Sequence, residues 1–337
     1  MNNIFDYKGY SEEMLFKLSK EQTIPYILRE AYSFGWLIKE YGFFSSLFPI
    51  NIYHLHGAGK KCDTDAPFQH EIDAKKYCEC MFVNNSSDVK TFQKIGFDCK
   101  VMLHPFVYYR KSRKIEKLKD AKGTIVFPSH VTPDVDDFSD IQEYVNQIKA
   151  LPEIYKPINI CLSWVDISQG RHKIWIENGF PVYTIGHAYH EDFVKRFYEL
   201  VRNYKFMTSN SVGSQLYYAV EMGIPFFIYG NPPKYFNKTD PGHQKGEINL
   251  YTKKYIDIYN LFNKITTEIN KEQKQAAVEG LGVNEGISRV QMMVILYKGF
   301  FKNNCIYYVF KNIIKYIFKS SVNKNKFKLF LSLYNIK

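Results

Sequence analysis

Three kinds of group in this sequence could bind or move a charged leaving group. Ser209, Asn210, Ser211, Gly213 and Ser214 crowd hydroxyls, an amide and a glycine between a run ending at Met207 and one holding Leu216, Ala219, Val220 and Met222. That spacing predicts a strand, a tight loop and a helix, with first-turn N–H groups and the positive end of the dipole facing out. Such a helix start can seat a phosphate. A cap explains a single serine, whereas a cluster at the carboxyl end of a strand falls where open α/β sheets bind ligands. Ser129 with His130, and Gly186 with His187, lie in two further loops of the same kind. The third group is His56, in the turn His56-Gly57-Ala58-Gly59, with Asp63, Asp65 and Glu71 just after it. A histidine there titrates near neutrality, the glycines leave room for an acceptor, and the carboxylates are rival general bases.

The elements around these residues repeat. From Gly123 onward, strands are predicted over 124–127, 159–164, 181–185, 204–207 and 224–229, alternating with helices over about 136–150, 170–178, 191–203 and 214–222. Alternation of this kind predicts a parallel doubly wound sheet whose carboxyl-end loops share one edge. Ser129, His130, Gly186, His187 and Ser209 to Ser214 would then meet there. A shorter series precedes it: a helix over 25–42, strands over 51–55, 79–83 and 99–103, and a helix over 87–95. The expected fold class is α/β, with two Rossmann-like domains and a helical basic C-terminal extension. Residues 1–110 are expected to form a reduced acceptor-side domain, 123–285 the nucleotide-donor domain and 286–337 a basic amphipathic tail, with a basic connection over 108–122. A polar loop is predicted over 231–246, and helices over 250–277 and 286–302.

Composition narrows the class. The 337 residues carry a net charge of +11, 45% hydrophobic residues and 17% aromatic ones, enough for real cores. From Lys298 to Lys337 there are nine lysines and no acid. Ile306, Phe310, Ile313, Ile314, Ile317 and Phe318 recur at helical spacing beside Lys311, Lys315 and Lys319, which predicts a helix either packed on the domain with its lysines in water or, the favoured reading given the lysine excess, lying on an anionic membrane surface. No nucleic-acid motif is present, so nucleic acid is not an expected partner. Cys62, Cys78, Cys80, Cys99, Cys161 and Cys305 lack paired metal spacing and no secretory segment opens the chain, so they read as reduced thiols of a cytoplasmic protein. Asp134, Asp136 and Asp137 read as helix-start acids rather than metal ligands. No metal is expected.

Thr184-Ile-Gly-His-Ala188, Thr208-Ser-Asn-Ser-Val-Gly-Ser214 and Gly223-Ile-Pro225 together resemble the donor half of GT-B glycosyltransferases of bacterial surface polysaccharides, including those dependent on CMP-sialic acid and CMP-Kdo. The resemblance implies that a histidine after one strand and a serine-rich loop after the next hold the nucleotide phosphate. His54-Leu-His56-Gly57 is similar to the histidine-glycine turn of the CDP-glycerol glycerophosphotransferases. The implied activity is an inverting, metal-independent transfer from a nucleotide-sugar to a glycan or lipid-linked acceptor at the inner face of the cell membrane, with no cofactor. A polyol-phosphate transferase and a nonenzymatic membrane-associated assembly protein are the alternatives.

Overall fold

The computed structural model describes residues 5–22, 31–46, 48, 50–55, 57–59, 69–76, 78, 80–240, 245–249 and 251–302. His56, Asp63, Asp65 and everything from 303 onward lie outside the described residues, so the expectations that fall on them stay with the sequence.

The first half opens with α1 (Glu12–Lys20) and α2 (Phe34–Tyr41), followed by β1 (Ile52–His54), α3 (Gln69–Asp73), β2 (Cys80–Val83), α4 (Ser86–Lys94), β3 (Asp98–Val101) and α5 (Pro105–Ser112). Its three strands pair in parallel in the order β1-β2-β3. Alternate residues face opposite ways along a strand. Tyr53, Met81 and Val83 accordingly enter one core with Phe92, while Ile52, Cys80 and Phe82 enter another with Phe34 and Phe106.

The second half runs β4 (Thr124–Val126), β5 (Val135–Asp137), α6 (Ile141–Lys149), β6 (Ile158–Cys161), α7 (Trp164–Ser168), α8 (His172–Glu177), β7 (Val182–Tyr183), α9 (Phe193–Val201), β8 (Phe206–Ser209), α10 (Ser214–Glu221) and β9 (Phe226–Ile228). Five strands form a parallel sheet in the order β7-β6-β4-β8-β9. The order reverses between β4 and β8, the crevice position of doubly wound folds. Because helices cover both faces, strands here read as unbroken apolar runs: Phe206 and Phe227 join the core of Tyr144 and Trp175, while Met207 and Phe226 join the opposite one.

After the sheet come β10 (Tyr235–Asn237), β11 (Gly246–Glu247), α11 (Lys253–Phe262), α12 (Lys271–Gly280) and α13 (Arg289–Lys302). Three sequence expectations are corrected here. The helix expected from residue 136 begins at Ile141, where Asp140 accepts the Glu143 N–H at 2.9 Å; Asp136 and Asp137 instead pair as strand with Phe236 and Tyr235. The loop expected over 231–246 contains β10, which joins β5 and β11 in a small antiparallel sheet. The single helix expected over 250–277 is broken at Asn263, and α12 restarts on a reciprocal capping box between Asn270 and Gln273.

The two halves share one core. Phe106 of α5 stacks on Tyr218 of α10 with ring centroids 4.3 Å apart. His104 accepts the Phe106 N–H at Nδ1, which leaves the proton on Nε2 to face the Tyr218 hydroxyl at 3.1 Å. Arg110 of α5 grips Glu221 through two bonds of 2.7 and 2.6 Å. α1 packs on the second half: Leu15 is fully buried beside Val126 and Trp175, and the Tyr10 N–H bonds the Val182 carbonyl. α13 returns to the first half, with Met292, Leu296 and Phe300 buried and Arg289 donating to the Tyr41 carbonyl at 2.9 Å. The opening of the predicted tail is therefore a docked helix.

Candidate active site

The strand reversal puts the loops after β4 and β8 side by side, and Asn210 locks them. Its side-chain oxygen accepts the Ser129 N–H at 2.8 Å, and its amide donates to the Asn231 carbonyl, beyond β9, at 2.9 Å. One side chain, 2% exposed, thereby fixes three carboxyl-end loops. Ser209 is fully buried and its hydroxyl accepts the Ser211 N–H at 3.3 Å, which turns the chain into α10. Gly213 is the N-cap of α10, and no side chain caps that start. The Ser211 and Tyr255 hydroxyls lie 3.3 Å apart. The Ser214 hydroxyl accepts the Ala58 N–H at 2.9 Å, so the first half's glycine turn reaches the start of α10.

A charged layer supports the loop after β4. Ser129 donates to Asp137 at 3.3 Å, and Asp137 also accepts the N–H groups of Ser139 and Lys234. Arg171 lies 3.4 Å from both Asp137 and Asp166. Burial pushes the Asp166 carboxyl above the usual range, offset by its bond from the Ser163 hydroxyl and by the nearby His130 ring and Arg171 guanidinium. Tyr235 hydrogen-bonds Ser129, and its phenol is raised first by burial and then by the charge of Asp137. His130 is exposed, with Nδ1 3.1 Å from the Val131 carbonyl. An N–H on Nδ1 fits that contact and leaves Nε2 as the acceptor. Asp137, Asp166, Arg171 and Tyr235 were not singled out for the site from sequence. Ser163 and Trp164 were expected to end the strand over 159–164, yet β6 stops at Cys161 and Ser163 caps α7 by accepting the Asp166 N–H, a spacing readable as a capping signal.

Gly186 and His187 sit farther along the same edge. Gly186 has φ +88°, and a Cβ there would lie 2.5 Å from the Arg196 guanidinium and 3.0 Å from the Leu18 carbonyl, so α1 closes against a position only glycine fills. The His187 ring stacks on Trp164 at 4.1 Å, its Nδ1 accepts the Tyr189 N–H, and its Nε2 lies 3.0 Å from the Gln22 amide. Both ring nitrogens are thus engaged by the protein. Burial, aided by His190, lowers the His187 pKa. Since the unfolded state then binds more protons, this group makes stability rise with pH up to the unfolded value near 6.5 and fall on acidification below it. His187→Gln is expected to flatten the dependence of the urea midpoint between about pH 5 and 6.5; an unchanged slope would assign it to other groups.

Of the acid–base candidates, Glu71 is 2% exposed on α3. Among the described residues, no group of three or more His, Cys, Asp or Glu could hold a metal ion, and no helix is long and apolar enough to cross a membrane. A hollow of about 150 Å³ on the flank of α10, between Tyr217, Lys254, Asp257 and Glu279, is smaller than the ~300–1,000 Å³ of small-molecule sites. The strand reversal holds the better-organised chemistry.

No protein-family model and no curated protein matches the sequence. Among solved structures, the chain is similar to Anabaena Alr3699/HepE in complex with UDP and glucose, at 11% identity over 73% of this chain and 70% of that one, with a TM-score of 0.32. It is also similar to the wall teichoic acid polymerase TagF, at 13% identity over 75% and 69% with a TM-score of 0.41. A third is the S. aureus MnaA–UDP co-structure, at 12% identity over 88% and 77% with a TM-score of 0.35.

Proposed function

We propose that the chain is a glycosyltransferase that moves a sugar from a nucleotide-sugar to a growing cell-surface glycan. The observation that carries this reading is the Asn210 lock, which gathers three carboxyl-end loops around a helix start bearing Ser211 and Ser214. A diphosphate or phosphodiester at the first turn of α10 meets the uncapped N–H groups of that turn beside the Ser211 hydroxyl, already held in place, so little ordering is left to binding. The α10 dipole would stabilise charge on the departing phosphate, the role a cation plays elsewhere. Within this reading the donor is a CMP-nonulosonate or Kdo type, with a UDP-sugar second. The transfer is inverting and metal-independent, no cofactor takes part, and the acceptor is a glycan or lipid-linked glycan at the cytoplasmic face of the membrane. The basic tail would hold the protein to anionic lipid. His187, Gly186 and Ser209 shape the pocket wall in this reading rather than touch the phosphate.

A thermal-shift panel of CMP-, UDP- and GDP-sugars with CDP-glycerol tests the proposal. One nucleotide-sugar is expected to raise the melting temperature. CDP-glycerol alone doing so would make the chain a polyol-phosphate transferase, and no response would favour the assembly protein. Ser211→Ala is expected to weaken the responding nucleotide by about 1.5–3 kcal/mol, roughly ten- to a hundredfold, because a hydroxyl bond to a charged group is lost. Calorimetry giving wild-type affinity for that variant would move the phosphate away from the start of α10.

A further inference from the structure

Part of the outer face of α13 is exposed among the described residues. While Met292, Leu296 and Phe300 point into the first half, Val290, Val294 and Phe301 are 60%, 55% and 72% exposed. These three recur at spacings of four and seven, so they lie in a stripe on one side of the helix, while Tyr297 beside them packs on Phe44 with ring centroids 4.8 Å apart. Phe43, 55% exposed in the turn after α2, extends the stripe at its start, with the Arg289 guanidinium 3.9 Å over its ring. The stripe is flanked by Arg289 and the exposed Lys298 and Lys302, and the sequence holds no acidic residue after Glu285.

We infer that this face of the first half is seated on an anionic lipid surface, with Val290, Val294, Phe301 and Phe43 entering the headgroup boundary and Arg289 and Lys298 meeting lipid phosphates. A helix with apolar residues on one side and bases at its border suits that boundary. Charge selects lipid over the other occupants. Residues 303–337 carry seven lysines and no acid, so folding them over this stripe would bring like charges together, and a second copy would do the same. Anionic lipid attracts both the stripe and the segment after it, and two linked contacts bind far more tightly than either alone. The surface is independent of the transfer reaction proposed above. It orients the molecule with its first half against the bilayer.

Flotation of the full-length chain with phosphatidylcholine vesicles, with and without phosphatidylglycerol, tests the inference. The intact chain is expected to float with the anionic vesicles and to be released by salt. Val294→Asp/Phe301→Asp should lower its partition coefficient about tenfold or more, since two apolar side chains lose their burial in lipid. Val294→Ser/Phe301→Ser, which adds no charge, should lower it in the same direction, and both variants should melt as the intact chain does because the replaced side chains are exposed. Equal partitioning of the intact chain and both variants would overturn the inference, as would failure of the intact chain to bind anionic vesicles. A loss of melting temperature with binding unchanged would mean that residues 303–337 cover the stripe. A mass that falls by half in the variants would mean that a second copy does. Either would also overturn it.

Discussion

Replacing Arg110 with alanine is expected to lower unfolding stability by about 3–5 kcal/mol, the usual cost of leaving one member of a buried ion pair without its partner. The pair joins the halves: Arg110 belongs to α5 and Glu221 to the last turn of α10, with side chains 9% and 7% exposed. Two parallel N–H···O bonds fix the direction of the approach as well as its distance. Removing the guanidinium leaves the Glu221 carboxylate, beside the buried Tyr198, with only the half-exposed Lys111 ammonium at 3.9 Å, and withdraws the donor of the Ile115 carbonyl. Arg110→Met/Glu221→Leu is expected to recover much of the loss, because an apolar pair of similar volume needs no counter-charge. The recovery should be incomplete, since Ile115 keeps no replacement donor. Urea unfolding of the three variants checks this. A cost below about 1 kcal/mol for Arg110→Ala would place the pair in the class of solvent-exposed bridges.

The same contact shows where sequence reading stops. Strands β6, β8 and β9 were legible because burial on both faces demands unbroken apolar runs, and such runs are local. Ser209 to Ser214 were legible as a loop into a helix for the same reason. Arg110 and Glu221 are 111 residues apart, and nothing near either marks the other as its partner. The β5–β10 pairing is likewise remote, so Asp136 and Asp137 looked like acids at a helix start until Tyr235 and Phe236 took them as strand neighbours. The role of α1 was invisible because its burial depends on β7 and α7, more than a hundred residues on. Cys80 on β2 and Cys99 on β3 are buried in the first sheet, and burial pushes each thiol up to about 12.

The candidate bases divide by where the fold can hold them. His56 and Asp65 lie outside the described residues, but the neighbours of His56 are pinned. The Leu55 N–H bonds the Phe82 carbonyl, the Gly57 carbonyl accepts the Asn84 amide at 2.7 Å, and the Gly59 N–H bonds the Gly280 carbonyl at 2.7 Å. Ala58 then reaches Ser214 at the start of α10, the proposed phosphate seat. The described residues of that turn thus lie beside the proposed phosphate seat, and a base must meet an acceptor hydroxyl within hydrogen-bond reach of such a seat. Glu71 is buried on α3, which closes it off from an incoming acceptor. His56→Ala is therefore expected to lower turnover by about 100-fold or more while leaving donor affinity near wild type, since general-base catalysis contributes roughly 10²–10⁴-fold. Asp65→Ala and Glu71→Gln should then retain most of the activity. If steady-state assays with the responding donor give near-normal turnover for His56→Ala and a collapse for Asp65→Ala, the carboxylate takes the role and the pinned turn only orders the acceptor.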